Sequence, residues 1–198
     1  MDINASSLND EDLLAQIASR DEAAFVLLLD RHLENVRSLA WRVLASHADV
    51  DDIAQDVFLK LWRNPQSFTP GKARFSTWLY RVTLNACIDR QRKIKTAPTV
   101  ALGETIEASI ADSAPTPEQQ AINTNRAQRV ASAIARLPDR QRHAIALSHY
   151  QELGNIEAAR VMDTSVEAVE SLLGRARRAL KKTLQPDIAE LLGRTDNI

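Results

Sequence analysis

The sequence predicts an all-α protein of two small helical domains joined by a flexible linker, the C-terminal one a helix-turn-helix. Three observations support this prediction. Apolar residues recur at three- and four-residue steps in both halves, which is typical of helices with one buried face. Glycine is scarce, at 5 of 198 residues, whereas β proteins need many tight turns. Segment 96–125 contains three prolines and no periodic pattern, which is typical of a connector between domains.

The composition is ordinary for a globular protein, but the charged residues are unevenly distributed along the chain. Hydrophobic residues make up 44% and charged residues 26%, and the formal net charge is −1. Segment 72–95 is basic with Asp89 as its one acid, segment 96–125 has no Lys or Arg, and 126–182 is basic again. Two basic segments separated by an acidic spacer indicate two places that contact polyanions. Solvated helix faces are the alternative for any such charge run.

The residues for most other classes of site are missing. The single cysteine, Cys87, excludes an internal disulfide framework. The four histidines have no metal-ligand spacing, and the chain has no glycine-rich phosphate loop or nucleophile arrangement. It also lacks a long apolar run or signal-peptide pattern. We therefore expect no enzymatic activity, no metal and no cofactor, and a cytoplasmic location without membrane contact of its own.

The N-terminal domain begins with an acidic segment in which 10–17 predicts a short helix. A longer helix follows, for which Asp21 is the predicted N-cap. Its predicted buried face consists of apolar residues at three- and four-residue steps: Phe25, Leu29, Leu33, Val36, Ala40 and Val43.

The next predicted helix, Val50 to Arg63, has two distinct faces. Apolar residues line one side, and another side carries Asp52, Gln55, Asp56 and Leu59. Such a face suits a protein partner, although acids at a helix start also favour its dipole without any partner. Asn64-Pro65 ends the helix.

A third helix, about Arg74 to Lys93, combines aromatic and basic residues. A face next to the buried one carries Trp78, Arg81 and Asn85 at spacings i, i+3 and i+7. Lys and Arg neutralise phosphates, an exposed ring can stack on an unpaired base, and an amide can bind a base edge. The alternative is that Trp78 and Tyr80 are ordinary core aromatics, and we expect that one of them is.

The C-terminal domain, 126–184, shows helices ending near Leu137, running from Pro138 toward Tyr150, and running from an Asn155 N-cap to Met162. A tight turn over 163–165 precedes the last helix, with Thr164 and Glu167 as a predicted capping box. Two short helices around such a turn predict a helix-turn-helix, with a plain helical hairpin as the alternative. Basic residues at the end of the last helix favour DNA: Arg175, Arg177, Arg178, Lys181 and Lys182.

Two long motifs carry a family resemblance. The runs DVDDIAQDVFLKLW and FSTWLYRVTLNACIDRQRK resemble region 2 of bacterial RNA polymerase sigma factors of the extracytoplasmic-function (ECF) type, in the sigma-70 family. LPDRQRHAIALSHYQELGNIEAARVMDTSVEAVESLLGRARRALK resembles region 4 of the same family. Two motifs in this order are much more specific than a helix-turn-helix alone. The resemblance implies a region 2 domain at 1–95, a linker at 96–125, a region 4 domain at 126–184, and a tail at 185–198.

What the resemblance implies is a dissociable subunit that binds core RNA polymerase and directs it to promoter DNA, with an anti-sigma factor as a further partner. The residues at the core-polymerase-binding positions are Asp52, Gln55, Asp56 and Leu59. The residues at the −10 positions, where a flipped base is held, are Phe68, Arg74, Trp78, Arg81, Asn85, Arg92 and Lys93. The residues at the −35 positions are Ser165, Glu167, Ala168, Ser171, Arg175 and Arg178.

The recognition helix departs from the family pattern, since Glu170 and Leu172 stand where many members have basic residues. Our hypothesis is that Leu172 and Leu173 partly serve a protein contact, such as an inhibitor. One alternative function is a conventional helix-turn-helix regulator, which would self-associate and bind double-stranded DNA without replacing the sigma subunit. An enzyme is the other alternative, and no residue pattern favours it.

Overall fold

The computed structural model describes residues 8–46, 48–96 and 127–193, with side chains described as far as 185, and shows helices and no strand within them. The N-terminal unit consists of α1 (Asp10–Ala18), α2 (Glu22–Leu44), α3 (Val50–Arg63) and α4 (Phe75–Thr96). The C-terminal unit consists of α5 (127–135), α6 (Asp139–Ile145), which continues as a π-helix over Ala146–Tyr150, α7 (Asn155–Val161) and α8 (Val166–Gly193). The all-α prediction is confirmed. The predicted linker, apart from Thr96, lies outside the described residues.

Side-chain caps start the first two helices where the sequence predicts them. The Asp21 carboxylate accepts a hydrogen bond from the backbone N–H of Ala24 at 3.0 Å, as predicted for an N-cap. The Asn9 side chain accepts from the N–H of Asp12 at 2.9 Å and caps α1 in the same way. These caps satisfy donors that the first helical turn leaves unpaired.

The buried face of α2 differs from the predicted one. Its N-terminal half buries Ala24, Leu28 and His32, while Phe25 and Leu29 are only partly buried. The predicted residues of this half do pack against the core, but the most deeply buried stripe lies one residue earlier along the helix. The His32 Nε2 atom lies 2.8 Å from the Asp10 carboxylate, and this hydrogen bond is the main reason that the pKa of Asp10 is lowered.

The C-terminal unit corrects three boundary predictions. The hydroxyl of Ser165, rather than Thr164, accepts from the N–H of Ala168 at 3.2 Å and caps α8, so the predicted capping box is wrong. The N-cap of α7 is Gly154, one residue before the predicted Asn155. The helix α8 continues to Gly193, where the sequence predicted a tail from residue 185.

The two units pack against each other, a contact that no sequence pattern predicts. Arg142 of α6 is 7% exposed, and its Nε donates to the carbonyl of Val43 at the end of α2 at 3.0 Å. The side chain of Gln91 donates to the same carbonyl at 2.9 Å. The other Arg142 nitrogens donate to the carbonyls of Ala135 and Leu137 and to the Asp139 carboxylate. A buried guanidinium is thus satisfied across both units.

Candidate protein and nucleic-acid interfaces

An acidic face of α3 carries the four predicted polymerase-binding residues. All four are exposed, including Leu59, of which 37% is accessible. The opposite face of α3 is buried in the N-terminal unit, which fixes the helix in place. An open groove between α3 and α4 is lined on the α3 side by Asp52, Gln55 and Asp56, and on the α4 side by Asp89, Arg90 and Lys93.

An ion pair between Arg90 and Asp49 joins α4 to the start of α3. Arg90 donates from Nε at 2.8 Å and also from Nη2 to the same carboxylate oxygen. The hydrogen bond to Asp49 is the main cause that raises the pKa of Arg90. Asp49 is buried and its side chain does not cap α3. Its carboxylate therefore pairs with Arg90 and is not part of the acidic face. Sequence reasoning missed this pair because its members are 41 residues apart.

Phe68 belongs to an aromatic cluster within the core. It is 5% exposed, with ring centroids 5.5 Å from Phe75 and 6.0 Å from Trp78. Phe75 and Trp78 are stacked at 5.7 Å. Phe68, which was predicted to shape a base pocket, therefore packs against Trp78 inside the core. Its own ring is not accessible to a base. Tyr80 is the buried core aromatic that the sequence analysis expected, and Trp78 is half-buried.

The exposed side of α4 carries four more of the predicted −10 residues. Arg81, Asn85, Arg92 and Lys93 are all exposed. Arg81, Asn85 and Arg92 are spaced i, i+4 and i+11, so they form one stripe along the helix. Asp89 lies on this stripe too, 3.9 Å from Arg92, and an exposed pair of this kind contributes little to stability. The stripe thus combines cations with one amide that can bind a base edge.

Arg74, the remaining predicted −10 residue, precedes the first turn of α4. It is well exposed, and its guanidinium lies 3.7 Å from the carboxylate of Glu157 in the C-terminal unit. The structure therefore places Arg74 next to α7 rather than on the stripe.

The first half of α8 presents the predicted −35 residues. Glu167, Ser171, Arg175 and Arg178 are exposed and Ala168 is half-buried. Arg175 donates to the Ser171 hydroxyl at 2.8 Å, which orients its guanidinium along the helix. Hydrogen bonds from its own backbone N–H and from Ser165 lower the pKa of Glu167.

Two leucines of α8 do not share one role. Leu173 is buried in the core, so the hypothesis of a protein contact through it is wrong. Leu172 is half-buried and packs against that core.

The described part of the chain offers no residues for a metal site, a reactive thiol or a membrane span. No group of three or more His, Cys, Asp or Glu side chains there could hold a metal ion. Burial raises the pKa of Cys87 to about 12, so its thiol stays protonated at neutral pH. No helix within the described ranges is long and apolar enough to span a membrane.

Comparisons with known proteins match both units of the chain to one family. Residues 28–96 match the family model for Sigma-70 region 2, and residues 127–180 match Sigma-70, region 4. The ECF RNA polymerase sigma factor SigW of Bacillus subtilis is 31% identical over 180 residues, covering 87% of this chain and 95% of the relative. The RNA polymerase sigma factor CnrH of Cupriavidus metallidurans is 35% identical over 91% of this chain and 98% of its own length. The ECF sigma-E factor of Escherichia coli K12 is 32% identical over 92% and 97%.

Two solved structures have a similar fold. CnrH in complex with the cytosolic domain of CnrY aligns with a TM-score of 0.66 and 30% identity, covering 90% of this chain and 98% of CnrH. The sigma factor RpoE in complex with the anti-sigma factor NepR, from Bartonella quintana, also has a TM-score of 0.66, at 22% identity over 79% of this chain and 94% of RpoE. At that identity the second likeness shows the fold alone.

Proposed function

The chain belongs to the extracytoplasmic-function type of the sigma-70 family and directs RNA polymerase to promoters, and we propose that three helices divide this work. In this proposal α3 binds core RNA polymerase, α4 binds the opened −10 element, and α8 binds the −35 element in the major groove. The N-terminal and C-terminal units supply regions 2 and 4 of the family.

The observation that carries this proposal is the charge contrast between two neighbouring helices of one unit. The exposed face of α3 is acidic around Asp52 and Asp56, while the exposed stripe of α4 is mainly basic. An acidic face repels DNA phosphates and attracts a basic protein surface. A basic stripe does the opposite. The Arg90–Asp49 ion pair ties the two helices together, so both partners can be bound at once in a defined geometry.

We infer that α4 acts on separated strands. Extruding a base costs about a few kcal/mol, and stacking on an aromatic ring returns roughly 1–3 kcal/mol per base. Trp78, held by Phe68 and Phe75, offers a supported ring. The Asn85 amide is exposed beside the cations that hold the strand backbone. Binding alone supplies this opening, so the proposal requires neither a cofactor nor catalysis by this subunit.

An anti-sigma partner is part of the proposal. The relative CnrH, which this chain matches over nearly its whole length, is described in complex with the cytosolic domain of CnrY. We propose that this chain is held by a comparable inhibitor and works in the cytoplasm, where core polymerase and promoter DNA are. A conventional regulator is not favoured because both sigma regions are matched, whereas such a regulator needs only the helix-turn-helix.

Charge reversal on α3 tests the docking role. The double variant Asp52→Lys/Asp56→Lys should bind purified core polymerase at least about tenfold more weakly, because two like charges would face a basic partner. Both side chains are exposed, so the circular dichroism spectrum should not change. Glu34→Lys, an exposed acid on α2, is the matched control and should bind normally. Unchanged affinity of the double variant would disprove docking through α3.

A further inference from the structure

Two acids lie on the exposed face of α8, and their carboxylates have different partners. Hydrogen bonds from its own backbone N–H and from Ser165 hold the carboxylate of Glu167 at the start of the helix. Glu170, one turn further, accepts a hydrogen bond at Oε1 from the side-chain amide of Asn155 on α7, at 3.2 Å. Its Oε2 accepts no hydrogen bond from the residues that the structure describes. Because a carboxylate can accept about four hydrogen bonds, Glu170 presents a free acceptor in a fixed place.

Glu170 lies where a recognition helix meets base edges. It is the fifth residue of α8, and the N-terminal part of a recognition helix is the part that contacts bases in the major groove. Its side chain is exposed. Arg175 and Arg178 are exposed further along the same helix, where cations can hold phosphates and fix the register of the duplex. The free carboxylate is thus placed for a base contact and the cations for backbone contacts.

The face that carries Glu170 is also open to close approach. Gly174 follows Glu170 at i+4, so the two are neighbours on the helix surface. A methyl group at Gly174 would meet no atom of the described residues within 4 Å, so packing does not explain the absence of a side chain. Glycine inside a helix is destabilising relative to alanine, but it lets a partner come close to the backbone. A duplex that approaches α8 here comes within reach of the Glu170 carboxylate.

A carboxylate distinguishes base pairs because it accepts hydrogen bonds and cannot donate them. In the major groove, cytosine presents the N4 amino donor. Guanine presents the acceptors N7 and O6, thymine the acceptor O4, and adenine a donor at N6 beside the acceptor N7. A glutamate therefore binds cytosine best and is opposed by guanine and thymine. It also weakens contact with phosphates of every sequence, so an acid here favours discrimination over affinity.

We propose that Glu170, oriented by Asn155, selects a cytosine in the −35 element. Asn155 is the positioning residue: its amide holds one carboxylate oxygen, so less side-chain freedom is lost when the other oxygen binds a base. The selection of cytosine rests on the proposed function of α8 in −35 binding and adds to it one residue and the base that this residue accepts.

Selection from a promoter library randomised over the −35 element tests this, with holoenzyme assembled from core polymerase and the full-length chain. The unmodified chain should enrich cytosine at one position about tenfold over guanine. Glu170→Ala and Glu170→Gln should lose this preference and keep those at the other positions. Both should bind a scrambled −35 duplex more tightly, since a negative charge is removed. Glu152→Gln, at an exposed acid outside the recognition helix, is the charge-matched control and should keep every preference.

A structural tie between α7 and α8 would give a different result. Asn155→Ala should reduce the cytosine preference about threefold, because Glu170 is still present but no longer oriented. If Asn155→Ala and Glu170→Ala lower the Tm and leave the selected sequence unchanged, Glu170 is only such a tie and the proposal is overturned. Enrichment of any base other than cytosine at the position that Glu170→Ala changes would also overturn it. Failure of the unmodified holoenzyme to enrich any −35 sequence would contradict the proposed function of α8, and the role of Glu170 with it.

Discussion

The N-terminal and C-terminal units are both four-helix assemblies, yet their cores differ in kind. The N-terminal unit buries long apolar side chains and the aromatic rings of Phe58, Phe68, Phe75 and Tyr80. Among the largest fully buried side chains of the described residues, only Leu147 and Val161 come from the C-terminal unit. Its core is otherwise rich in alanine: Ala133, Ala144, Ala146, Ala158, Ala159 and Ala176.

This difference explains why the C-terminal unit depends on contacts with the N-terminal unit. Alanines allow close helix packing but remove little apolar surface from water, and burial stabilises in proportion to that surface. Polar contacts therefore carry more of the unit's organisation, above all Arg142, which bonds within the unit and to Val43 of α2. The N-terminal unit has a core large enough to position two charged helices rigidly.

A cavity in the larger core should produce the largest effect. Leu79→Ala removes a fully buried side chain of α4 and should lower the free energy of unfolding by about 2–5 kcal/mol. Ala144→Gly in the smaller core should cost only about 1 kcal/mol. Urea unfolding measures both, with Val26→Ala as a control at a site that is 53% exposed. Equal losses of unfolding free energy for Leu79→Ala and Ala144→Gly would contradict the proposed difference between the two cores.

The C-terminal unit should also be the more sensitive to acid. Burial is the main cause that lowers the pKa of His143 to about 4, from its usual 6.5. The unfolded imidazole takes up a proton as pH falls through 6.5, and the folded one does so only near pH 4. Its contribution to stability is therefore complete above pH 6.5 and declines below it, by about 2 kcal/mol between pH 7 and pH 5.

Urea unfolding at the two pH values, compared with His143→Gln, measures this contribution. The variant should lose about 2 kcal/mol less than the unmodified chain. His149→Gln, at an exposed histidine, should behave like the unmodified chain. An identical pH dependence in all three would show that His143 does not titrate as described.

Replacement of Asn85 tests whether the surface of the N-terminal unit recognises the −10 sequence. Asn85→Ala should lower discrimination between the correct −10 strand and a scrambled one by about tenfold, or about 1.4 kcal/mol, because an amide that binds a base edge is lost. Arg81→Ala on the same stripe should weaken both strands alike. Fluorescence anisotropy with polymerase holoenzyme measures the four affinities. A uniform loss for Asn85→Ala would make it a structural residue.

The smallest effect is expected at the start of α8. Ser165→Ala removes the cap of Ala168 and should cost about 1 kcal/mol of stability. Ser165→Asp should restore that stability, since aspartate caps equally well. If Ser165 also contacts the −35 element, Ser165→Asp will still bind that duplex poorly. If Ser165→Asp recovers both stability and binding to the −35 duplex, Ser165 serves only as a helix cap.

Sequence reasoning succeeded where the signal is local and periodic. It predicted α3 with both ends correct, the Asp21 cap, and that one of Trp78 and Tyr80 is a core aromatic, which proved to be Tyr80. It failed where a side chain serves a distant partner. Phe68 looks like a loop residue free to meet DNA, yet its ring is sequestered by Phe75 and Trp78 of the next helix.

Long-range polar contacts were beyond prediction for the same reason. Arg142 and Val43 are 99 residues apart, and Arg90 and Asp49 are 41 apart. Each arginine reads as a surface charge in the sequence because no periodic pattern marks its acceptor. His32 escaped notice because its burial depends on the Asp10 carboxylate of another helix. Only the packed structure brings these partners together.

Run-off transcription on a genomic promoter library, with purified core polymerase and this chain, tests most directly whether α3 and α4 serve two partners at once. The unmodified chain should start transcripts at a discrete set of promoters that share −10 and −35 sequences. Asp52→Lys/Asp56→Lys should abolish all of them, while Asn85→Ala should reduce them unevenly according to the −10 sequence. Promoter-specific transcripts that survive charge reversal, or no transcript with the unmodified chain, would contradict this account.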